Sequence, residues 1–194
     1  DIASKVDSKK LFVVSASQMN DGDCNIVTDW FSNKLVVMVG FDVNMSLEIL
    51  FNEMQRDQGF KAHVLRALKI ADIGISELSD TPQIINISSA SVPLRLHDYR
   101  AFHTYEGRET SLPLTAESAG TIRFMSVIGP VMQALTSGMT VVIDEMDMSF
   151  HTDLTRWVVG LFHDPEENVG NAQLIYNTHD AELLDNSTIR RDQV

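Results

Sequence analysis

Val141-Val142-Ile143-Asp144-Glu145 is the stretch on which the reading of this chain turns. Thr140–Ile143 is a short apolar run rich in β-branched residues, the pattern of a strand buried in a parallel sheet. Two adjacent carboxylates close it. Ligands of open α/β sheets bind at the carboxyl ends of the strands, so Asp144 and Glu145 are expected at that edge. Adjacent carboxylates repel, and partial desolvation raises the cost. Mg²⁺ would offset it, one carboxylate holding the ion through water and the next polarising an attacking water. The plain alternative is a strand end whose acids face water.

Working outward, Ala119–Ser137 reads as a helix, with Phe124, Ile128, Val131 and Leu135 at helical spacing and Gly138 as a stop. Pro130 removes one backbone donor inside it and is expected to kink it. On the other side, residues 152–163 form an amphipathic helix with Leu154, Trp157, Val158, Leu161 and Phe162 on one face. Asp164–Asn168 reads as a solvated loop, and Ala172–Tyr176 as a second buried strand. The order strand, helix, strand is that of an α/β layer with a parallel sheet.

Further upstream, Ile84–Ile87, Leu94–Tyr105 and Leu112–Leu114 read as strands, with a turn at Tyr105–Arg108. Residues 1–92 read as a helix-rich segment, and the Ser79-Asp80-Thr81-Pro82 turn marks a plausible boundary before residues 93–194. Met45, Ile49, Leu50 and Met54 share a helical face before Gly59. Val64, Leu65, Leu68 and Ile70 follow before Gly74. Leu11–Val14 and Leu35–Val39 are apolar runs that fit strand or buried helix equally.

Bulk properties narrow the function. The chain has 194 residues and a net charge of −12, which argues against a general nucleic-acid footprint on this segment. Between Val141 and Asp185 ten acidic residues face a single Arg156, whereas all six lysines lie at or before Lys69. No apolar run is long enough to span a membrane. The lone cysteine, Cys24, excludes an intrachain disulfide and fits a reducing cytoplasm. The sequence opens without an initiator Met, which reads as a cut into a longer protein.

Two more segments accompany the acidic strand end. Leu174-Ile175-Tyr176 leads into Asn177-Thr178-His179-Asp180, which puts a histidine at the tip of a neighbouring strand, within reach of a phosphate near Asp144; a structural histidine is the alternative. Glu117-Ser118-Ala119-Gly120-Thr121 opens the preceding helix, where small residues with free N–H groups make an anion site or simply a helix cap. His97 and His103 have no ligand spacing around them and read as exposed strand residues.

Glu117–Thr121, Val141–Glu145, Asp147-Met148-Ser149-Phe150-His151 and Thr178-His179-Asp180, in that order, resemble the ABC-type ATPase heads. The chain is most similar to the stand-alone AAA-type ATPases of bacterial abortive-infection and phage-defence loci, relatives of the OLD and SMC-like heads. The match covers the C-terminal part of such a head, roughly residues 93–194, and implies an α/β P-loop NTPase fold. It implies that Asp144 orients Mg²⁺, that Glu145 is the base or positioner for the hydrolytic water, and that His179 is the switch histidine sensing the γ-phosphate. Asp147, Ser149 and His151 would form the D-loop region at a dimer interface. Ser118 and Gly120 would be signature residues contacting ATP held by the other protomer. Two heads would sandwich two nucleotides, and the ATP-dependent homodimer would switch a partner effector, a nuclease or toxin, in antiphage defence. Any nucleic acid would be met through other regions.

The sequence departs from that pattern in three places. Ala119 stands where the signature usually has Gly, and Phe150 where Leu is usual. No lysine directly follows a glycine, so the Gly-Lys-Ser/Thr phosphate-binding loop is missing. It is expected N-terminal to Asp1, and the segment alone is expected to bind ATP poorly. The tail Arg190–Val194 resembles the start of a further strand in the same ATPases. Three other readings stand beside this one. An SMC or DNA-repair head would need long coiled-coil heptads, which residues 1–92 lack. A non-catalytic scaffold would keep the motifs without hydrolysis. A TOPRIM-type nuclease would need Asp-x-Asp, where this chain has Glu145-Met146-Asp147.

Overall fold

The computed structural model describes residues 11–39, 43–71, 74–85, 94–146 and 151–184. In chain order these form α1 (Phe12–Gln18), α2 (Gly22–Asn33), β1 (Leu35–Met38), α3 (Val43–Arg56), α4 (Gln58–Ile70), β2 (Ile75–Ile85), β3 (Leu94–Tyr105), β4 (Arg108–Pro113), α5 (Ala119–Ser137), β5 (Thr140–Ile143), α6 (Thr152–His163) and β6 (Gln173–Tyr176). The tail Arg190–Val194 lies outside the described residues.

β1, β5 and β6 make a parallel sheet with β5 in the middle. This is the expected α/β layer. The undecided run at Leu35 is therefore a strand, while the one at Leu11 belongs to a helix. In register, Met38, Ile143 and Tyr176 lie side by side, so the three strands end at one edge. Val141 and Ile143 are buried against the helical layer, in which α3 and α4 pack on α5. Val37, Val142 and Ile175 share the opposite row, where Val37 and Ile175 are each 56% exposed.

α5 is largely apolar, and Phe124, Met125, Val127, Ile128, Val131 and Leu135 are buried along it. It runs continuously through Pro130 from Ala119 to Ser137. Gly138 ends it in the left-handed conformation (φ 63°) that favours glycine, its N–H donating to the Ala134 carbonyl. One hydrophobic cluster joins Leu50, Met54, Val64 and Leu68 from before residue 92 to Phe124, Leu135 and Val158 from after it. The break between α3 and α4 comes from Asp57, whose carboxylate caps Gly59 and Phe60, so Gly59 sits inside α4 rather than ending the first helix.

β2, β3 and β4 form a separate antiparallel sheet in that order. The turn expected at Ser79–Pro82 is instead the middle of β2, paired with Arg100–His97 of β3. β2 is an edge strand, and an edge tolerates proline because its missing N–H need not join a ladder. Glu106 and Gly107, both at positive φ, make the two-residue turn between β3 and β4.

The two histidines expected to be exposed on β3 are each partly buried and paired with a carboxylate. His97 Nδ1 lies 2.8 Å from Asp80, and His103 Nε2 lies 2.7 Å from Glu117. Tyr99, between Phe51 and His97, stacks on the Phe51 ring with centroids 4.4 Å apart. Burial, then the negative charges of Asp80 and Glu48, push its phenol up to about 12.

Candidate functional site

The site begins where the parallel strands stop. Asp144 leaves β5 with its N–H bonded to the Met38 carbonyl of β1, and the Asn177 N–H reaches back to the Ile143 carbonyl from the end of β6. The ladder thus extends one residue past the strands and sets Asp144 and Asn177 side by side. Glu145 then turns into the left-handed region (φ 52°), which costs a non-glycine residue about 1 kcal/mol. The turn is held from β6: the Glu145 N–H donates to Asn177 Oδ1, Asn177 Nδ2 donates to Asp144 Oδ1 at 2.6 Å, and the Met146 N–H donates to the Asn177 carbonyl at 3.1 Å. Asp144 is half-buried and Glu145 exposed, while Met146 is buried beneath them.

His179 lies two residues beyond Asn177 and is exposed. The segment that carries it is fastened at its far end. The Asp180 N–H donates to Thr178 Oγ1, and the Asp180 carboxylate accepts from the Glu182 N–H and from the Thr152 hydroxyl at the start of α6. His151 is the N-cap of α6, with Nδ1 accepting from the Asp153 N–H at 3.4 Å. Asp147 and Ser149, expected beside His151, lie outside the described residues. The short-range order is therefore Asp144–Glu145, bonded to Asn177, then His179, then Asp180 bonded to Thr152.

Ser118 caps α5: its Oγ accepts from the Thr121 N–H at 3.0 Å, with Thr121 Oγ1 2.8 Å away. Gly120 sits in the first turn of that helix. Glu117, just before the cap, is tied to His103 of β3, so the antiparallel sheet anchors this helix start. Among the described residues, no hydrogen bond joins Ser118 or Gly120 to the Asp144–His179 group. The structure thus brings Asp144, Glu145 and His179 to one sheet edge, while Ser118 at the α5 start is exposed and Gly120 partly buried.

Sequence reasoning missed Asn177, Asp180, Thr152 and Asn168. Asn168 lies in the loop read as solvated, yet its amide bonds the Phe162 and Ala172 carbonyls and the Ala172 N–H, and so fixes the entry to β6. For Asn177 a signal was available: it is the polar residue directly after an apolar strand, the same position that singled out Asp144. The Thr152–Asp180 bond joins residues 28 apart in sequence, whereas the Asn168 bonds are local but follow no periodic pattern.

Chemically, the edge suits a hard cation. The Asp144 carboxylate has one oxygen held by Asn177 and accepts no other hydrogen bond among the described residues. Those residues contain no cluster of three or more His, Cys, Asp or Glu side chains. One carboxylate, with the remaining positions taken by water and phosphate oxygens, is a donor set that Mg²⁺ accepts. Tyr176, at the end of β6, has a buried hydroxyl with no partner among the described residues, and burial holds its phenol above the usual tyrosine range.

No helix among the described residues is long and apolar enough to cross a membrane. No curated protein matches the chain. The sequence model of one protein family, described as "AAA domain, putative AbiEii toxin, Type IV TA system", matches residues 17–185. That span takes in the helical layer, both sheets and every described residue of the site, and with the parallel sheet flanked by helices it fits a P-loop NTPase domain of the AAA type. The chain belongs to this family of AAA domains related to abortive-infection systems.

Proposed function

We propose that the full-length protein binds and hydrolyses ATP with Mg²⁺, and that two copies close on nucleotide to switch a partner effector, a nuclease or toxin, in antiphage defence. The observation that carries this is the juxtaposition of Asp144 and Glu145 with the His179 segment at the carboxyl edge of adjacent parallel strands. Asp144 would hold Mg²⁺ through water, and Glu145 would accept a proton from, or orient, the attacking water. His179 would meet the γ-phosphate. Membership in a family described by a toxin of a toxin–antitoxin system supports a protein partner. A cytoplasmic location is part of the proposal, in keeping with a single cysteine.

Ser118 at the α5 start is exposed and makes no hydrogen bond to the acidic edge among the described residues, which is compatible with an action in trans. Ser118 and Gly120 would serve nucleotide held by the second copy. Asp147, Ser149 and His151 would lie along the same interface. Division of the chain into an upstream segment (1–92) and a head segment (93–194) belongs to this reading, with both contributing to one hydrophobic cluster.

One observation favours a second reading. The 194 residues contain no Gly-Lys-Ser/Thr loop, as a scaffold without hydrolysis would allow. Phosphate release from ATP and Mg²⁺ by the full-length protein separates the two. The ATPase reading expects turnover that Glu145→Gln removes while nucleotide still binds. Binding and turnover both absent in the wild type would leave the scaffold.

A further inference from the structure

Among the described residues, Asn177 holds the acidic turn with more bonds than any other. An N–H can only donate, so the Glu145 amide fixes Asn177 Oδ1 toward itself and leaves Nδ2 for the Asp144 carboxylate. The main chain of Asn177 bonds the same turn on either side, accepting from the Met146 N–H and donating to the Ile143 carbonyl at 3.3 Å. Glu145 meanwhile occupies a left-handed conformation that persists only where the surroundings over-determine it. Bonds from one residue to Ile143, Asp144, Glu145 and Met146 meet that requirement.

We propose that Asn177 is a positioning residue for hydrolysis, fixing the backbone of Glu145 and one oxygen of Asp144 so that both carboxylates keep one geometry. The role rests on the reading of those two acids as the metal-holding and water-positioning pair. Asn177 does not touch the reacting atoms; it acts through the residues it holds. Because it lies two residues before His179, and Asp180 is bonded to Thr152, the same short segment also ties the acidic turn to the start of α6.

The test compares wild type, Asn177→Ala and Asn177→Asp in the full-length protein, by steady-state hydrolysis of ATP with Mg²⁺. Thermal melting of each protein without nucleotide reports folding. Asn177→Ala is expected to lower kcat roughly 10- to 100-fold, the loss typical when a residue orienting a metal ligand is removed. KM should change far less, because the nucleotide is not what Asn177 holds. Asn177→Asp keeps the acceptor for the Glu145 N–H but sets a like charge against Asp144. Its kcat should therefore fall as well, again with little change in KM.

Wild-type kcat in a folded Asn177→Ala would overturn the role. If the alanine variant does not fold, wild-type kcat in a folded Asn177→Asp overturns it instead. A wild type that hydrolyses no ATP overturns the reading beneath, and this role with it, a result distinguishable from either of the others.

Discussion

Gly138 and Gly170 meet backbone against backbone. A methyl built on Gly138 would lie 2.4 Å from the Gly170 carbonyl oxygen, and one built on Gly170 would lie 2.4 Å from the Gly138 nitrogen. Gly170 also donates its N–H to Leu135 near the end of α5. The crossing therefore sets the spacing between the entry to β5 and the loop entering β6, the two strands whose ends carry the candidate site.

Gly138→Ala combines this clash with a left-handed φ, so it is expected to destabilise by on the order of 3 kcal/mol. Gly160→Ala is the control. It lies in α6 with nothing within 4 Å of an added methyl, and the gain in helix propensity should stabilise by up to about 1 kcal/mol. Chemical denaturation of both variants reads the difference, which should be opposite in sign.

Thr155 is fully buried in α6, and its hydroxyl has no hydrogen-bond partner among the described residues. A buried unmade hydrogen bond costs about 1 to 3 kcal/mol. Thr155→Val keeps the shape and the helix propensity while removing the orphaned group. Its midpoint of urea unfolding should rise, by about 1 kcal/mol in stability; a clear fall would show that the hydroxyl is satisfied in solution.

Tyr99 gives a pH dependence with a definite sign. Its phenol is pushed up to about 12 in the folded protein, above an ordinary value of 10.0. Between those values the folded state holds a proton that the unfolded state has lost, so this contribution to stability is complete below the lower value and is lost as pH rises through the upper one. Ultraviolet titration should show late tyrosine ionisation that shrinks by one group in Tyr99→Phe, the raised Tyr176 remaining, and the matching part of the stability loss should disappear with it.

The parts of the fold legible in the sequence are those whose signals are local. Ala119–Ser137, Thr140–Ile143 and residues 152–163 could be read because Gly138 ends a helix, β-branched residues mark a buried strand, and Leu154, Trp157, Val158 and Leu161 repeat at helical spacing. β1 was ambiguous because four apolar residues fit either structure. The false turn at Ser79–Pro82 arose because Pro82 punctuates a sequence locally, whereas only its place on an edge strand explains why it is tolerated. Asp144 and Glu145 were visible as charges ending an apolar run. The bonds from Asn177, 33 positions from Asp144, and the pairing of His103 with Glu117 depend on tertiary contacts that no short pattern encodes.

The most direct test is the solution mass of the full-length protein with and without ATP and Mg²⁺, for wild type and Glu145→Gln. The proposed mechanism predicts that ATP converts monomer to dimer, that the wild-type dimer decays as phosphate is released, and that the Glu145→Gln dimer persists without release. A mass unchanged by nucleotide in both proteins would contradict the switch.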